Sequence, residues 1–562
     1  MEGNPPVPSR WGRVRAARGL DMADTRFLNA EVFNPFSGDW DRTDLAVKDG
    51  FLAGTGLYPA RNEVDLKGRR VVPGLIDAHV HIESSLLSPS EFARLVARHG
   101  TTTVIADPHE IANVLGVVGI EYMLSQREKL PIDLVIMLPS CVPATASDIG
   151  GAVLESADLA SFKGRPGVIG LGEVMNVSGV LQGDPDLYRK LDLFPLIDGH
   201  APLLTGRDLS AYLAAGIQSD HECTGPAEAR EKIGKGMFIY IREGSTEQNI
   251  RAIIPVVTTS TSPRFSFATD DRHVDLLVEE GHIDDCIRKA ISYGLEEETA
   301  LRMATLSPAE RFGLHDRGAL APGKVADFCV LAPGKEFAVE KTFRRGHELQ
   351  LNTAIPTPEL RGNFTATPPQ ITDIVLTGSG SARVIGLVPH QIITESLIIE
   401  IVPDNLPDTR RDILKVVVCS RYHPGRIAAG LVHGFGLNSG AIAGSVSHDA
   451  HNIVAVGASD VDLCTAISLV IAAGGGLAAV NGDTTTLLQL ACAGLMSTNP
   501  YEQVYRSFKA LEHQVADMGG IDQAFMYLSF LSLTVIPRLR ITDRGLFDVE
   551  TVSHVPVFES GV

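Results

Sequence analysis

The chain is poor in cysteine and short of positive charge. Its 562 residues include seven cysteines (Cys141, Cys223, Cys286, Cys329, Cys419, Cys464 and Cys492), no two closer than 28 positions. Without a Cys-x-x-Cys pair neither a disulfide framework nor a thiolate zinc site is expected, and a reducing, cytoplasmic setting fits best. Lys plus Arg number 49 against 68 Asp plus Glu, a formal charge of −19. A general nucleic-acid binder needs a basic surface for its phosphate contacts, so nucleic acid is not an expected partner. The N-terminus lacks the apolar stretch of a signal peptide, and its arginines (Arg10, Arg13, Arg15, Arg18) are expected in a frayed extension over residues 1–26. Long apolar runs are also missing, save that residues 463–480 carry no charge for 18 positions, the lower limit of a membrane span. The run contains Gly474-Gly475-Gly476, so a buried helix leading into a glycine turn is expected, and no membrane partner.

With 44% hydrophobic and 21% charged residues, the chain has the material for several ordinary cores. Residues 27–71 alternate short apolar runs with turn residues, as in Asp44-Leu-Ala-Val-Lys-Asp-Gly50, the rhythm of small antiparallel strands. The same rhythm returns within 316–365. Between them, residues 72–315 hold eight short apolar runs (75–80, 102–106, 134–138, 168–171, 194–197, 216–219, 237–241 and 265–268), with helical stretches such as 89–98, 112–126, 207–215 and 248–256 in the gaps. Strands alternating with helices imply a parallel sheet, and eight units of this length match a (β/α)8, TIM-like barrel. The expected fold is therefore α/β: a barrel over 72–315, a flanking β-sandwich domain from 27–71 and 316–365, and a C-terminal α+β domain over 366–562. Strands are expected at 371–376, 392–402 and 413–418, and the Pro-containing segment 352–369 is the expected linker.

In such a barrel, function sits where strands end at the C-terminal face. The first strand ends in His79-Val-His81, followed by Glu83; the second in Asp107-Pro-His109-Glu110; the fourth in Glu173; the fifth in Asp198-Gly-His200. The sixth ends in Asp220-His221-Glu222, the seventh in Arg242-Glu243 and the eighth in Asp270-Asp271, while the third (Pro139-Ser140-Cys141) offers no ligand. A lone histidine after a strand is usually a loop or core residue. His79 and His81 differ because residues i and i+2 of a strand face the same way, so both imidazoles can reach one ion at about 2.1 Å. Taken together, the histidines and carboxylates exceed what one four-coordinate ion requires, which makes two bridged cations plausible. Imidazole and carboxylate without thiolate suit zinc, iron or manganese.

The run Val72-Pro-Gly-Leu-Ile-Asp77-Ala-His79-Val-His81 resembles the opening motif of the amidohydrolase superfamily, metal-dependent hydrolases built on a (β/α)8 barrel, and Gly318-Ala-Leu-Ala-Pro-Gly-Lys-Val-Ala-Asp327 resembles that superfamily's return into its β-sandwich. The resemblance implies that His79 and His81 hold the more buried metal, and His200 and His221 the more exposed one. It further implies that Glu173 bridges them and that Asp270 is both ligand and proton acceptor. A narrower likeness, spanning nearly the whole chain, is to the bacterial adenine deaminases. It rests on His81-Ile-Glu-Ser-Ser85, Asp107-Pro-His-Glu-Ile-Ala-Asn113, Gly172-Glu-Val-Met175, Asp198-Gly-His-Ala-Pro202, Ser219-Asp-His-Glu222, Ala268-Thr-Asp-Asp-Arg272 and Gly444-Ser-Val-Ser-His-Asp-Ala-His-Asn452. It implies adenine as substrate, purine salvage, two divalent ions (manganese or iron, with zinc possible) and a homo-oligomer, dimer or larger.

Deamination of adenine would proceed by hydroxide attack on C6, since a bound divalent cation lowers the pKa of water to about 7. Asp270 would take the proton and pass it to the leaving amine. Glu222 or Glu110 would protonate N1, and His109 would orient the base or the water; orientation of neighbouring ligands is an equal alternative for the two glutamates. Glu83, Asp271, His448 and Asp449 are the candidates for contact with the purine. The segment 447–452 either folds over the barrel mouth or is a turn whose Asp and Asn serve local backbone groups. Competing readings are a cyclic amidase of the dihydroorotase or hydantoinase kind, and a catalytically dead barrel acting as a binding module. The unrelated zinc deaminase pattern needs a Pro-Cys dipeptide, which this sequence lacks.

Overall fold

The computed structural model describes residues 10–559, except 146–148, 335 and 402–405. Eight parallel barrel strands run at Leu75–Val80, Thr101–Ala106, Asp133–Leu138, Val168–Val174, Ile197–Gly199, Ser219–Asp220, Phe238–Arg242 and Phe265–Ala268. The first five pair in chain order, as do the last three. The ring closes where Val80 pairs with Asp270 in parallel: His81 N donates to Asp270 O (3.2 Å) and Asp270 N to His79 O (3.0 Å). Strands one, two, seven and eight are buried at every position, covered on both faces, so their polar residues, Asp77, His79 and Arg242 among them, are buried as well.

Several boundaries depart from the sequence expectation for identifiable reasons. The fifth strand starts at Ile197, not 194, because Pro195 has no N–H for the ladder. The sixth starts at Ser219, after Gly216 at φ 98° has turned the chain out of the preceding helix. The helix expected over 112–126 is two, His109–Leu115 and Val117–Gln126, broken at Gly116 (φ 59°, ψ −136°), a conformation open to glycine.

The two flanking strand-rich stretches fuse into one eight-stranded sheet, in which Arg70–Pro73 lies between Ala23–Asn34 and Phe328–Leu331. Phe27, Phe328 and Phe343 form its aromatic centre, with ring centroids 4.5–5.3 Å apart. The N-terminal stretch is not frayed over its described part. Arg10–Ala17 is a helix with Ala16 buried and the Arg13 guanidinium 3.9 Å above the Phe51 ring, and a strand already begins at Ala23.

The C-terminal region forms a second eight-stranded sheet, antiparallel except where Gly380–Leu387 pairs with Ile427–His433. The uncharged run 463–480 is a helix, Asp460–Ala473, capped by left-handed Gly474 and followed by the strand Gly476–Asn481. Among the described residues no helix is long and apolar enough to cross a membrane. Residues 371–374, expected as a strand, form a single 3-10 turn started by a Gln370/Asp373 capping box. The linker 352–369 is irregular yet strapped down, with Ile355 N donating to Glu91 Oε1 (3.1 Å) and Thr365 N to Arg421 O (2.9 Å). Helix Ala524–Phe530 packs on the C-terminal strands Ala441–Gly444 and Ile453–Gly457, while Tyr501–Asp517 packs against the barrel helices Val274–Glu279 and Pro89–Arg98. There Glu502 grips buried Arg94 (2.9 Å), and Tyr501 N donates to Glu91 Oε2 (2.9 Å).

Candidate metal centre

Four donor atoms converge at the barrel mouth. His79 Nε2 and His81 Nε2 lie 3.1 Å apart. Each is 2.9 Å from Glu173 Oε1 and 3.1–3.2 Å from Asp270 Oδ1. Tetrahedral ligands set about 2.1 Å from an ion would stand roughly 3.4 Å apart, close to these edges. The strand-end spacing accounts for the pair, and Asp77 fixes it, because Asp77 Oδ1 accepts from His79 N (3.1 Å). His81 Nδ1 donates to the Asp107 carbonyl (3.0 Å), which leaves the Nε2 lone pair facing the centre. Asp270 holds a left-handed backbone (φ 54°) at the barrel seam.

The other oxygen of Glu173 faces a second imidazole pair: His200 Nδ1 at 3.1 Å and His221 Nε2 at 3.5 Å. One carboxylate therefore spans His79 and His81 on one side and His200 and His221 on the other. Glu173 is set by its own backbone, whose N–H donates to Asp107 Oδ2 (2.9 Å). The preceding residue must be glycine, because a Cβ on Gly172 would stand 2.0 Å from that oxygen.

The electrostatics demand positive charge here. Burial pushes the His79 pKa down, yet Glu173 and Asp270 outweigh it and pull it up to about 10. Burial likewise pushes Glu173 and Asp270 up, but the imidazoles around them, His221 foremost, hold both well below the carboxylate range. His221 itself is driven down to about 3 by burial and by His79 beside it. Glu173 Oε1, Asp270 Oδ1 and His200 Nε2 are buried without a hydrogen-bond partner among the described residues. The donor set fits divalent cations.

Around this cage lies a further ring of groups. Buried Arg242 donates through Nη1 to Asp270 Oδ2 (3.0 Å) and grips both oxygens of Glu222, Nη2 to Oε2 at 3.1 Å. His109 sits between two clusters, with Nδ1 3.7 Å from Glu173 Oε1, and Nε2 3.2 Å from Glu110 Oε1 and 3.4 Å from Asp449 Oδ1. Glu110 closely contacts His448 Nδ1 and His451 Nε2. Asp271 Oδ1 accepts a short bond from Ser84 Oγ and lies 3.6 Å from His448 Nε2. The His448 ring stacks on Phe530 at 4.7 Å.

The cavity over the cage is lined on the barrel side by His81, His109, Glu173, Met175, His200, His221, Glu222, Arg242, Asp270 and Asp271, and on the other by Ile392, His448, Asp449, Phe530 and Leu533. Segment 447–452 thus folds over the barrel mouth. Glu83 does not line the cavity; its Oε1 accepts from Ile111 N (3.1 Å), beneath the helix that carries His109. Sequence reading gave no role to Arg242 or Asp107. The signal for Arg242 was present, a cation ending a barrel strand among acidic neighbours. The apolar cover of Ile392, Phe530 and Leu533 had none.

Comparison with known proteins adds the following. The Amidohydrolase family pattern matches residues 70–349, and that of the adenine deaminase C-terminal domain matches 391–553. An adenine deaminase of Methanoregula boonei is 58% identical over 553 residues, 98% of this chain and 99% of the relative. One of Methanoculleus marisnigri is 60% identical, over 92% of this chain and 100% of the relative. A crystal structure of an adenine deaminase aligns with TM-score 0.44 and 16% identity, covering 58% of this chain and 99% of that one.

Proposed function

The chain belongs to the adenine deaminases of the amidohydrolase family, and from that premise we propose that it hydrolyses adenine at C6 to hypoxanthine and ammonia, a purine salvage reaction. The observation that carries this reading is Glu173 spanning two imidazole pairs, with Asp270 completing the nearer one. Two divalent cations, manganese or iron with zinc also admissible, would be held by His79, His81, Glu173, His200, His221 and Asp270, and when bound they lower the pKa of water to about 7.

The surrounding side chains divide the proton traffic. Arg242 anchors Asp270 by Oδ2, leaving Oδ1 turned to the reacting centre. Asp270 takes the proton of the attacking water as the O–C6 bond forms. The electron pair of the C6–N1 double bond moves to N1, which takes a proton from Glu222. Glu222 suits this better than Glu110, because Glu222 lines the cavity and Glu110 does not. The C6–N6 bond then breaks, Asp270 hands its proton to the amine, and ammonia leaves. The proton released by the C6 hydroxyl balances the one Glu222 lent to N1. His109, beside Glu173, orients the base or the water, and Asp271 and His448 form the rim that meets the purine.

The space over the cage is narrow, about 20 Å³, room for about one water. Side chains around it would have to shift to admit a purine, and the apolar residues Ile392, Phe530 and Leu533 would then shield the reaction from bulk water. The test is ammonia release by manganese-loaded protein from adenine, adenosine and cytosine, with ring opening of dihydroorotate run alongside. Ammonia from adenine is expected. Ring opening of dihydroorotate without ammonia from adenine would overturn the proposal.

A further inference from the structure

Five carboxylates line the cavity, and four of them have a partner: Glu173 its imidazoles, Glu222 and Asp270 the Arg242 guanidinium, Asp271 the Ser84 hydroxyl. The fifth, Asp449, comes from the C-terminal domain. It is 4% exposed, and neither oxygen has a hydrogen-bond partner among the described residues. Its nearest charged neighbour, His109 Nε2 at 3.4 Å, is directed instead to Glu110 Oε1 at 3.2 Å. A buried carboxylate without a donor is costly unless the donor arrives with a ligand.

Asp449 also stands in a cluster with His109, Glu110 and His448 that could hold a cation, and the base itself can supply a donor. If C6 and N1 face Asp270 and Glu222 at the barrel mouth, the imidazole half of the purine points toward the cover from the C-terminal domain, where Asp449 stands. In the free base that half carries one ring N–H. In a nucleoside or a 9-alkyl base the same position carries carbon and offers no proton. We propose that Asp449 accepts the ring N–H of the unsubstituted imidazole half and so confines the site to free 6-aminopurine bases.

This inference rests on the deaminase reading, and its test separates the two. Metal-loaded wild type, Asp449→Ala and Asp449→Asn are assayed for ammonia release from adenine and from its oxazolopyrimidine analogue, in which a ring oxygen replaces the N9–H without added bulk. A site built to hydrogen-bond a substrate N–H can reject the analogue lacking it by about 10⁴- to 10⁵-fold, so wild type should prefer adenine by at least about 10²-fold in kcat/KM. In Asp449→Ala the preference should collapse to within about threefold, through a rise in KM for adenine. Asp449→Asn, which keeps an acceptor oxygen, should fall between. Because each ratio is taken within one preparation, a partly misfolded variant does not distort it. Wild type active on adenine but indifferent to the analogue would overturn the inference and leave the deaminase reading standing; wild type inactive on adenine would sink both. Loss of a metal equivalent from Asp449→Ala would also overturn it, since the carboxylate would then be a ligand.

Discussion

Arg242 Nη1 donates to Asp270 Oδ2 across 3.0 Å, with both side chains almost completely buried. The same guanidinium grips Glu222, so one planar fork sets the distance between the two groups proposed to handle protons. A lysine keeps the charge but not the fork. Arg242→Lys should lower kcat by about 10²-fold, the scale of a misplacement near 1 Å, with KM and metal content little changed. Steady-state kinetics alongside metal analysis checks this; an unaltered kcat would show that the fork does not position either group.

Glu173 touches His79, His81, His200 and His221, the four histidines proposed to hold metal. Glu173→Ala should reduce bound metal from the proposed two equivalents per chain to one or fewer after gel filtration, with activity down by at least about 10³-fold. Chelated wild type should regain activity only as the second equivalent of manganese is added. Full metal content in the variant would show that the carboxylate is not the bridge.

The methyl of Gly172→Ala would collide with Asp107 Oδ2 at 2.0 Å. That oxygen holds the Glu173 backbone N–H, so the bridge should shift along with the clash. Overpacking of this kind costs about 1–3 kcal/mol. Thermal unfolding should move down by a few degrees, and metal should be lost more readily to a chelator.

Arg94 is 2% exposed and links Glu91 of the barrel to Glu502 of the C-terminal domain. Arg94→Ala leaves Glu91 buried without its cation, a loss on the order of 3 kcal/mol. The variant should unfold at a lower urea concentration while keeping a near-normal kcat under native conditions, because Arg94 does not line the cavity. A large fall in kcat without a stability change would contradict this division.

Much of this centre was readable in the chain because a barrel turns a one-dimensional rule into a place. His79, His81, Glu173, His200, His221 and Asp270 each stand at or just beyond the end of a barrel strand, and strand ends share one face. What escaped depended on contacts between distant segments. Nothing near Asp449 announces His109, 340 positions upstream, and nothing in Phe530 or Leu533 distinguishes a cover from a core residue. Gly116 divided a helix that hydropathy alone made continuous, because periodicity reads side chains and the break lies in the backbone.

The pairing of Val80 with Asp270 has a consequence for the order in which the molecule is completed. The ring of strands shuts on the last of the six proposed ligands along the chain, while Ile392, His448, Asp449, Phe530 and Leu533, which roof the cavity, all come later. On the proposed ligand set, a fragment ending between the flanking sheet and Ile392 would hold all six donors with no roof over them.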